Sequence, residues 1–371
     1  MTHFQRAVKR LALTVCALAL AGAFAAPLAS ATPATEATEW LASQLKSTPE
    51  GSACELFGEA SVGETIECQL AFKAGAPSFE SQRKATYEWV LANKAKYIGS
   101  APCSTATSLS AGAVAKVALA VEAQGENPRS VGTSKRNLIE DLECLQVTSG
   151  TETGRFSDKG VTNFSNVTTQ SLAIIALRAC EVNCTGKPNL KTWIKPGAAY
   201  LRSQQCAGSK PASLNGAFRS EMGLAASTCN SEPPFEPENP NAVEVDSTGA
   251  ATQALLVDGT GESAAAAEAA VKWLKNLEAA SGAWESYCSF GEPTVLFESA
   301  NSTALAVMTE VEDGVAFKKG QKWLNERVEA QPKGQRGLPA CGKAGAPDLF
   351  ATAQGIFGLF GTSYPRLVGL P

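Results

Sequence analysis

Histidine is all but missing: His3 is the only one in 371 residues, and it lies in a segment that reads as an export leader. A chain that matures without it has no Ser-His-Asp or Cys-His machinery and no histidine ligand for a metal. A basic excess is missing too. The chain carries 32 lysines and arginines against 36 acidic residues, and losing Arg6, Lys9 and Arg10 with the leader leaves a net charge of about −7. Nucleic acids and anionic membranes reward the opposite sign, so neither is expected as a partner. After the leader, no apolar run is long enough to span a bilayer, so no membrane insertion is expected.

The leader itself has three parts. Arg6, Lys9 and Arg10 form a positive start, residues 11–26 are apolar, and Ala29, Ser30 and Ala31 offer small side chains at a cleavage site. Residues 1–31 are therefore expected to be a signal peptide, the mature chain to begin at Thr32, and the product to be secreted. Ten cysteines follow, at 54, 68, 103, 144, 180, 184, 206, 229, 288 and 341. An even number in an exported chain predicts disulfides rather than metal sites or free thiols. Cys180 and Cys184 are the only close pair, with no second pair beside them to complete a zinc site. Spacing alone leaves the pairing open; Cys288 with Cys341 is the pair that matching repeat loops suggest.

Internal repetition decides the fold. One segment, short and rich in alanine and leucine, opens on a small polar or acidic cluster and recurs at 64–72, 110–120, 166–177, 246–256, 301–308 and 348–357. A second, longer and more charged, carries an aromatic or leucine anchor at 39–45, 87–91, 200–205, 272–277 and 322–327, with 138–145 filling the same slot without tryptophan. Apolar spacing at three and four residues makes both types helices. Helices packed on every side need small residues, whereas outer ones need only one apolar stripe. The expected fold is all-α: an (α/α)6 toroid of about twelve helices, stapled by disulfides, forming a single domain over residues 32–371. An open solenoid would share this periodicity. Closure is favoured because both chain ends look like repeats. Gly154, Gly216 and Gly282 each precede an aromatic by two residues (Phe156, Phe218 and Trp284), giving a tight exit and a ring to pack over a helix end. The prolines of 231–240 make that stretch a loop.

These pairs of helices with Gly-x-Trp/Phe loops resemble the α/α toroid of squalene cyclases, protein prenyltransferase β subunits and cobalamin carriers. Most similar in character are secreted bacterial proteins with prenyltransferase/squalene-oxidase repeats. Glu278, Gly282 and Trp284 resemble the cyclase Gln-x3-Gly-x-Trp repeat, with Glu in place of Gln. The resemblance covers most of the mature chain and implies its fold. It does not bring the chemistry. The Asp-x-Asp-Asp acid of class II cyclases is absent, with only a distant echo at 243–246. Prenyltransferase zinc ligation needs a histidine, the thioester motif is missing, and so is the second domain of cobalamin carriers.

In a closed toroid the inner helices run parallel, so their starts ring one mouth of a central funnel. Glu67, Asn166, Thr169, Gln170, Asp246, Thr248, Asn301 and Asp348, with Glu64 and Ser302 beside them, are the candidate ligand-binding residues. N-capping explains such residues equally well, while convergent helix starts attract a polar or anionic ligand. No catalytic residue, metal set or cofactor is assigned. The expected function is a secreted, non-catalytic protein binding a small molecule or peptide in its funnel. The alternative is a carbohydrate-active hydrolase or lyase, or a terpene-cyclase-like enzyme, in which Glu67, Asp246, Glu298 and Asp348 supply paired carboxylates. A structural module with a cell-envelope partner is the third reading.

Overall fold

The computed structural model describes residues 31–160, 162–186, 188–233, 239–287, 296–313, 318–340 and 345–371. All but the last residue of the expected leader, and both Cys288 and Cys341, lie outside them, as do residues 234–238 of the proline-rich loop. Residues 33–371 form one compact unit.

Two sets of six helices alternate along this unit. The first set is α1 (Pro33–Ser43), α3 (Glu80–Asn93), α6 (Leu138–Leu145), α8 (Lys191–Ser203), α10 (Gly261–Leu277) and α12 (Lys318–Glu329). The second is α2 (Val62–Ala74), α5 (Ala111–Ala123), α7 (Val167–Asn183), α9 (Val245–Asp258), α11 (Ala300–Asp313) and α13 (Leu349–Phe360). Two short helices, α4 (Ala95–Ile98) and α14 (Tyr364–Leu367), complete the fourteen α-helices among the described residues.

Burial sorts the sets as composition requires. Eleven of the 13 residues of α5 are buried, against five of 13 in α8. Each helix of the second set touches two others of that set, in the order α2, α5, α7, α9, α11, α13 and back to α2. The ring is closed, and the first set lies outside it. Close approach needs small residues at the crossings. A Cβ on Gly249 of α9 would stand 2.9 Å from the Leu305 carbonyl oxygen of α11, and one on Gly358 of α13 would meet the Ala304 Cα at 3.1 Å. The outer wall closes as well: α12 and α13 both touch α1, and Arg336 pairs with Glu36.

The glycine-aromatic loops do more than end helices. Gly216 and Gly282 have φ of +98° and +93°, and an added Cβ would lie 2.5 Å from the Ala269 carbonyl oxygen of α10 and 2.6 Å from the Lys319 backbone of α12. Gly154 stands likewise against Pro196 of α8. Each glycine therefore lets a loop press on the backbone of the next outer helix, in addition to making the tight helix exit. The aromatic that follows is buried, and the Trp284 indole N–H donates to Leu274 O at the end of α10, 2.8 Å. This is the ring packed over a helix end.

The same loops, with those that precede α2 and α13, are tied to the inner helices by one recurring hydrogen bond. The backbone N–H groups of Cys54, Phe156, Phe218, Trp284 and Leu338 donate to side chains of Thr65, Gln170, Thr248, Thr303 and Thr352, at 2.8–3.0 Å. Each acceptor stands four residues after its helix's N-cap, on five of the six inner helices.

Among the described residues, three short antiparallel hairpins interrupt the helices: β1 (Lys46–Thr48) with β2 (Gly51–Ala53), β3 (Glu55–Leu56) with β4 (Glu59–Ala60), and β5 (Trp284–Tyr287) with β6 (Leu296–Ser299). They all lie in loops leading to inner helices. Among the described residues, four disulfides join Cys54 to Cys68, Cys103 to Cys144, Cys180 to Cys184 and Cys206 to Cys229. The close pair at 180 and 184 is thus a bridge to itself. These bridges are those of an oxidising compartment, and no described helix is long and apolar enough to cross a membrane.

Candidate functional site

A cavity of about 330 Å³ opens where four consecutive inner helices begin. Glu64 of α2, Asp246 of α9, Asn301 of α11 and Asp348 of α13 face it. The walls come from Leu56 of β3, Phe57 of the β3–β4 turn, Ser286 and Tyr287 of β5, Ser299 of β6, and Leu349 and Phe350 of α13. Phe57 is 84 % exposed, an apolar face held open to solvent.

Local sequence explains the positions. Asp348 is the N-cap of α13, accepting the Ala351 N–H at 2.8 Å, so its carboxylate answers that helix's own dipole. Asn301 donates to Gln354 Oε1 of the neighbouring α13 at 2.9 Å, which fixes its amide at the rim. Glu64 and Asp246 are less satisfied: Glu64 Oε2 and Asp246 Oδ1 are buried without hydrogen-bond partners. Burial, with the nearby Glu67 carboxylate, pushes the Glu64 carboxyl up to about 7, although Lys116 works against it. Burial raises Asp246 too, partly offset by the Ser302 hydroxyl. Two carboxyl groups with raised proton affinity therefore face the cavity, each with an oxygen left open.

Glu67 lies one turn deeper and is engaged. It pairs with Lys116 of α5 at 2.7 Å and accepts the Tyr364 hydroxyl at 3.1 Å. Burial alone would lower Lys116, but the Glu67 carboxylate and Tyr97 together hold it above its ordinary value. Tyr364 comes from the opposite end of the ring. Its helix α14 touches α2, α7 and α9, its N–H donates to Gln253 of α9, and its ring meets Phe357 of α13 edge-on. The axis below the mouth is thus filled by a tyrosine and an ion pair.

The remaining predicted residues are spread differently from the expected complete ring. Asn166 caps α7 by accepting the Thr169 N–H at 2.9 Å, and the Thr169 hydroxyl sits where a Cβ on Gly112 of α5 would go. Gln170 donates to the Gly154 and Gly197 carbonyls, each at 2.9 Å, besides accepting from Phe156. Thr248 serves Phe218 and donates to Glu244 O. Asp246, Asn301 and Asp348 come together at one cavity; Asn166, Thr169, Gln170 and Thr248 hold the scaffold beside it. Glu298, weighed as a carboxylate for catalysis, instead accepts the Trp323 indole N–H at 3.3 Å. The helical repeat carries no sign of these apolar walls, since Leu56, Phe57 and Tyr287 belong to hairpins outside it.

Among the described residues, no three His, Cys, Asp or Glu side chains group so as to hold a metal ion. No protein-family model and no curated protein sequence matches the chain. Solved structures share the fold. The GH76A α-1,6-mannanase from Salegentibacter sp. aligns at 12 % identity over 89 % of this chain and 97 % of its own, with a TM-score of 0.58. Unsaturated glucuronyl hydrolase from Streptococcus agalactiae aligns at 10 % identity over 88 % and 91 %, TM-score 0.56. The ent-copalyl diphosphate synthase from Streptomyces platensis aligns at 14 % identity and TM-score 0.50, over 81 % of this chain but half the length of the synthase. At these identities the likeness establishes an α/α toroid and nothing narrower.

Proposed function

We propose that this α/α toroid is an exported receptor for a short neutral saccharide, or a comparably polyhydroxylated molecule, held in the mouth formed by α2, α9, α11 and α13. The observation that carries this reading is the pair of buried, unpartnered oxygens on Glu64 and Asp246 facing the cavity. A protonated carboxyl both donates and accepts, and so does a sugar hydroxyl. Asn301 adds an amide, while Phe57, Tyr287 and Phe350 add surfaces on which the apolar face of a sugar ring can rest. An anionic ligand fits poorly despite the helix starts, because Glu64, Asp246 and Asp348 all stand at the rim. A terpenoid diphosphate fits worse, since Tyr364, Glu67 and Lys116 fill the axis where a long apolar chamber would be needed. The four disulfides and the N-terminal leader suit work outside the cell.

Two fold neighbours, the mannanase and the glucuronyl hydrolase, are enzymes, and one observation favours hydrolysis as a second reading. Glu64 at about 7 has the proton affinity of a general acid. Hydrolysis needs one carboxyl protonated beside one that stays ionised; burial acts on Glu64 and Asp246 in the same direction and does not divide those roles between them, so we favour binding. Calorimetry with neutral manno- and gluco-oligosaccharides tests it. Binding is expected without release of reducing ends, weakened at least about tenfold by Asp246→Ala, which is roughly 1.4 kcal/mol. Binding confined to prenyl diphosphates, or no binding at all, would refute the receptor. Turnover lost in Glu64→Gln would replace it with the hydrolase.

A further inference from the structure

The far end of the ring holds a second cavity, of about 290 Å³, with no connection to the saccharide reading. Lys73 of α2, Glu122 of α5, and Asn183 with Cys184 at the end of α7 line it, and residues 367–369 form its outer wall. Asn183 donates to Val368 O at 2.9 Å and the Cys180–Cys184 bridge pins the end of α7, so the wall is fixed on both sides.

Glu122 stands out here. The residue is 8 % exposed, both its carboxyl oxygens are buried, and neither has a hydrogen-bond partner. Gln124 Oε1, on the same cavity, is also buried and unpartnered. A buried acid without a partner is costly whether charged or neutral, and native structures seldom keep one idle. Burial holds its proton affinity well above the ordinary carboxylate range.

The neighbouring charges do not answer it. Arg83 gives Nε and Nη2 to Glu80 and Nη1 to Ala123 O. Glu126 accepts the Tyr87 hydroxyl at 2.7 Å. Lys73 makes no hydrogen bond or ion pair among the described residues, and burial together with Arg83 lowers its pKa. One acid and one amine therefore face a shared space without pairing with each other. A simple cation would meet Lys73 and Arg83. A simple anion would meet Glu122, Glu126 and the carbonyl ends of α2, α5 and α7, which favour positive charge.

We propose that this cavity binds a small zwitterion of the amino-acid class, its ammonium at Glu122 and Gln124 and its carboxylate at Lys73. The ligand supplies both missing partners at once: its ammonium favours the carboxylate form of Glu122 and its carboxylate favours the ammonium form of Lys73, so a molecule carrying only one charge leaves the other group unanswered.

Calorimetry on the disulfide-intact chain tests this with glycine, 4-aminobutanoate and 6-aminohexanoate as probes, and n-butylammonium and butanoate as single-charge controls. At least one zwitterion is expected to bind, and both controls at least about tenfold more weakly. Glu122→Gln keeps the shape and removes an unpaired acid, so the protein should fold with an unchanged or higher melting temperature. It should nevertheless lose about tenfold or more in zwitterion affinity, as should Lys73→Gln. The proposal is overturned if no probe binds at about 10 mM, if a single-charge control binds as well as the zwitterions, or if Glu122→Gln leaves affinity unchanged. None of these outcomes bears on saccharide binding at the mouth.

Discussion

Thr248 accepts the Phe218 N–H while donating to Glu244 O, so a single hydroxyl ties a loop to the first turn of its helix. Thr248→Val keeps the side chain's shape but strands the buried Phe218 N–H, and should cost about 1–3 kcal/mol in chemical denaturation. The same loss is expected for Thr303→Val and Thr352→Val, whose hydroxyls serve Trp284 and Leu338. Glu64 behaves in the opposite sense. Its pKa is raised from an ordinary 4.5 to about 7 in the fold, so its contribution is fully present below about 4.5 and is lost as pH rises through 7. Glu64→Gln is therefore expected to leave stability at pH 4 unchanged and to raise it at pH 8. Glu244, pushed up to about 7 by burial and by Asp246, should respond the same way. A melting-temperature series across pH 4–9 checks both, and a larger gain at pH 4 would contradict the sign.

Helix by helix, the sequence already separated inner from outer. Alanine and glycine in residues 110–120 and 246–256 announced surfaces that neighbours approach closely, and Trp89, Trp273 and Trp323 marked the helices needing a single buried stripe. Gly249→Ala should cost about 1–3 kcal/mol, because the new Cβ stands 2.9 Å from a backbone oxygen of α11 that has little freedom to move. Gly282→Ala should cost at least as much, since it adds a positive φ to the clash with α12. What stayed illegible has a physical cause. The hairpins β3–β4 and β5–β6 are too short to produce an alternating pattern, so Phe57 and Tyr287 gave no sign of lining the mouth. Polar residues at a helix start look alike whether they cap, brace or face a ligand. Only the packing shows that Gln170 and Thr248 spend their bonds on the scaffold while Asp246 keeps an oxygen open.

For the whole molecule, closure decides which residues meet. Contact of α13 with α2, and of α12 with α1, brings residues from the two ends of the toroid into one wall, and Asp348 reaches the cavity of Glu64 only because of it. The bridges Cys54–Cys68, Cys103–Cys144 and Cys206–Cys229 restrain loops of this ring, each with an expected contribution of about 2–4 kcal/mol. Reduction should accordingly lower the melting temperature markedly and weaken mouth binding through the Cys54–Cys68 loop beside β3 and β4. Saccharide binding at the mouth is tested most directly by a crystal structure of the chain soaked with a neutral trisaccharide. Sugar density is expected between Phe57 and Asp246, with ring hydroxyls on Glu64, Asp246 and Asn301. Sugar bound elsewhere, with the mouth left to solvent at saturating ligand, would contradict it.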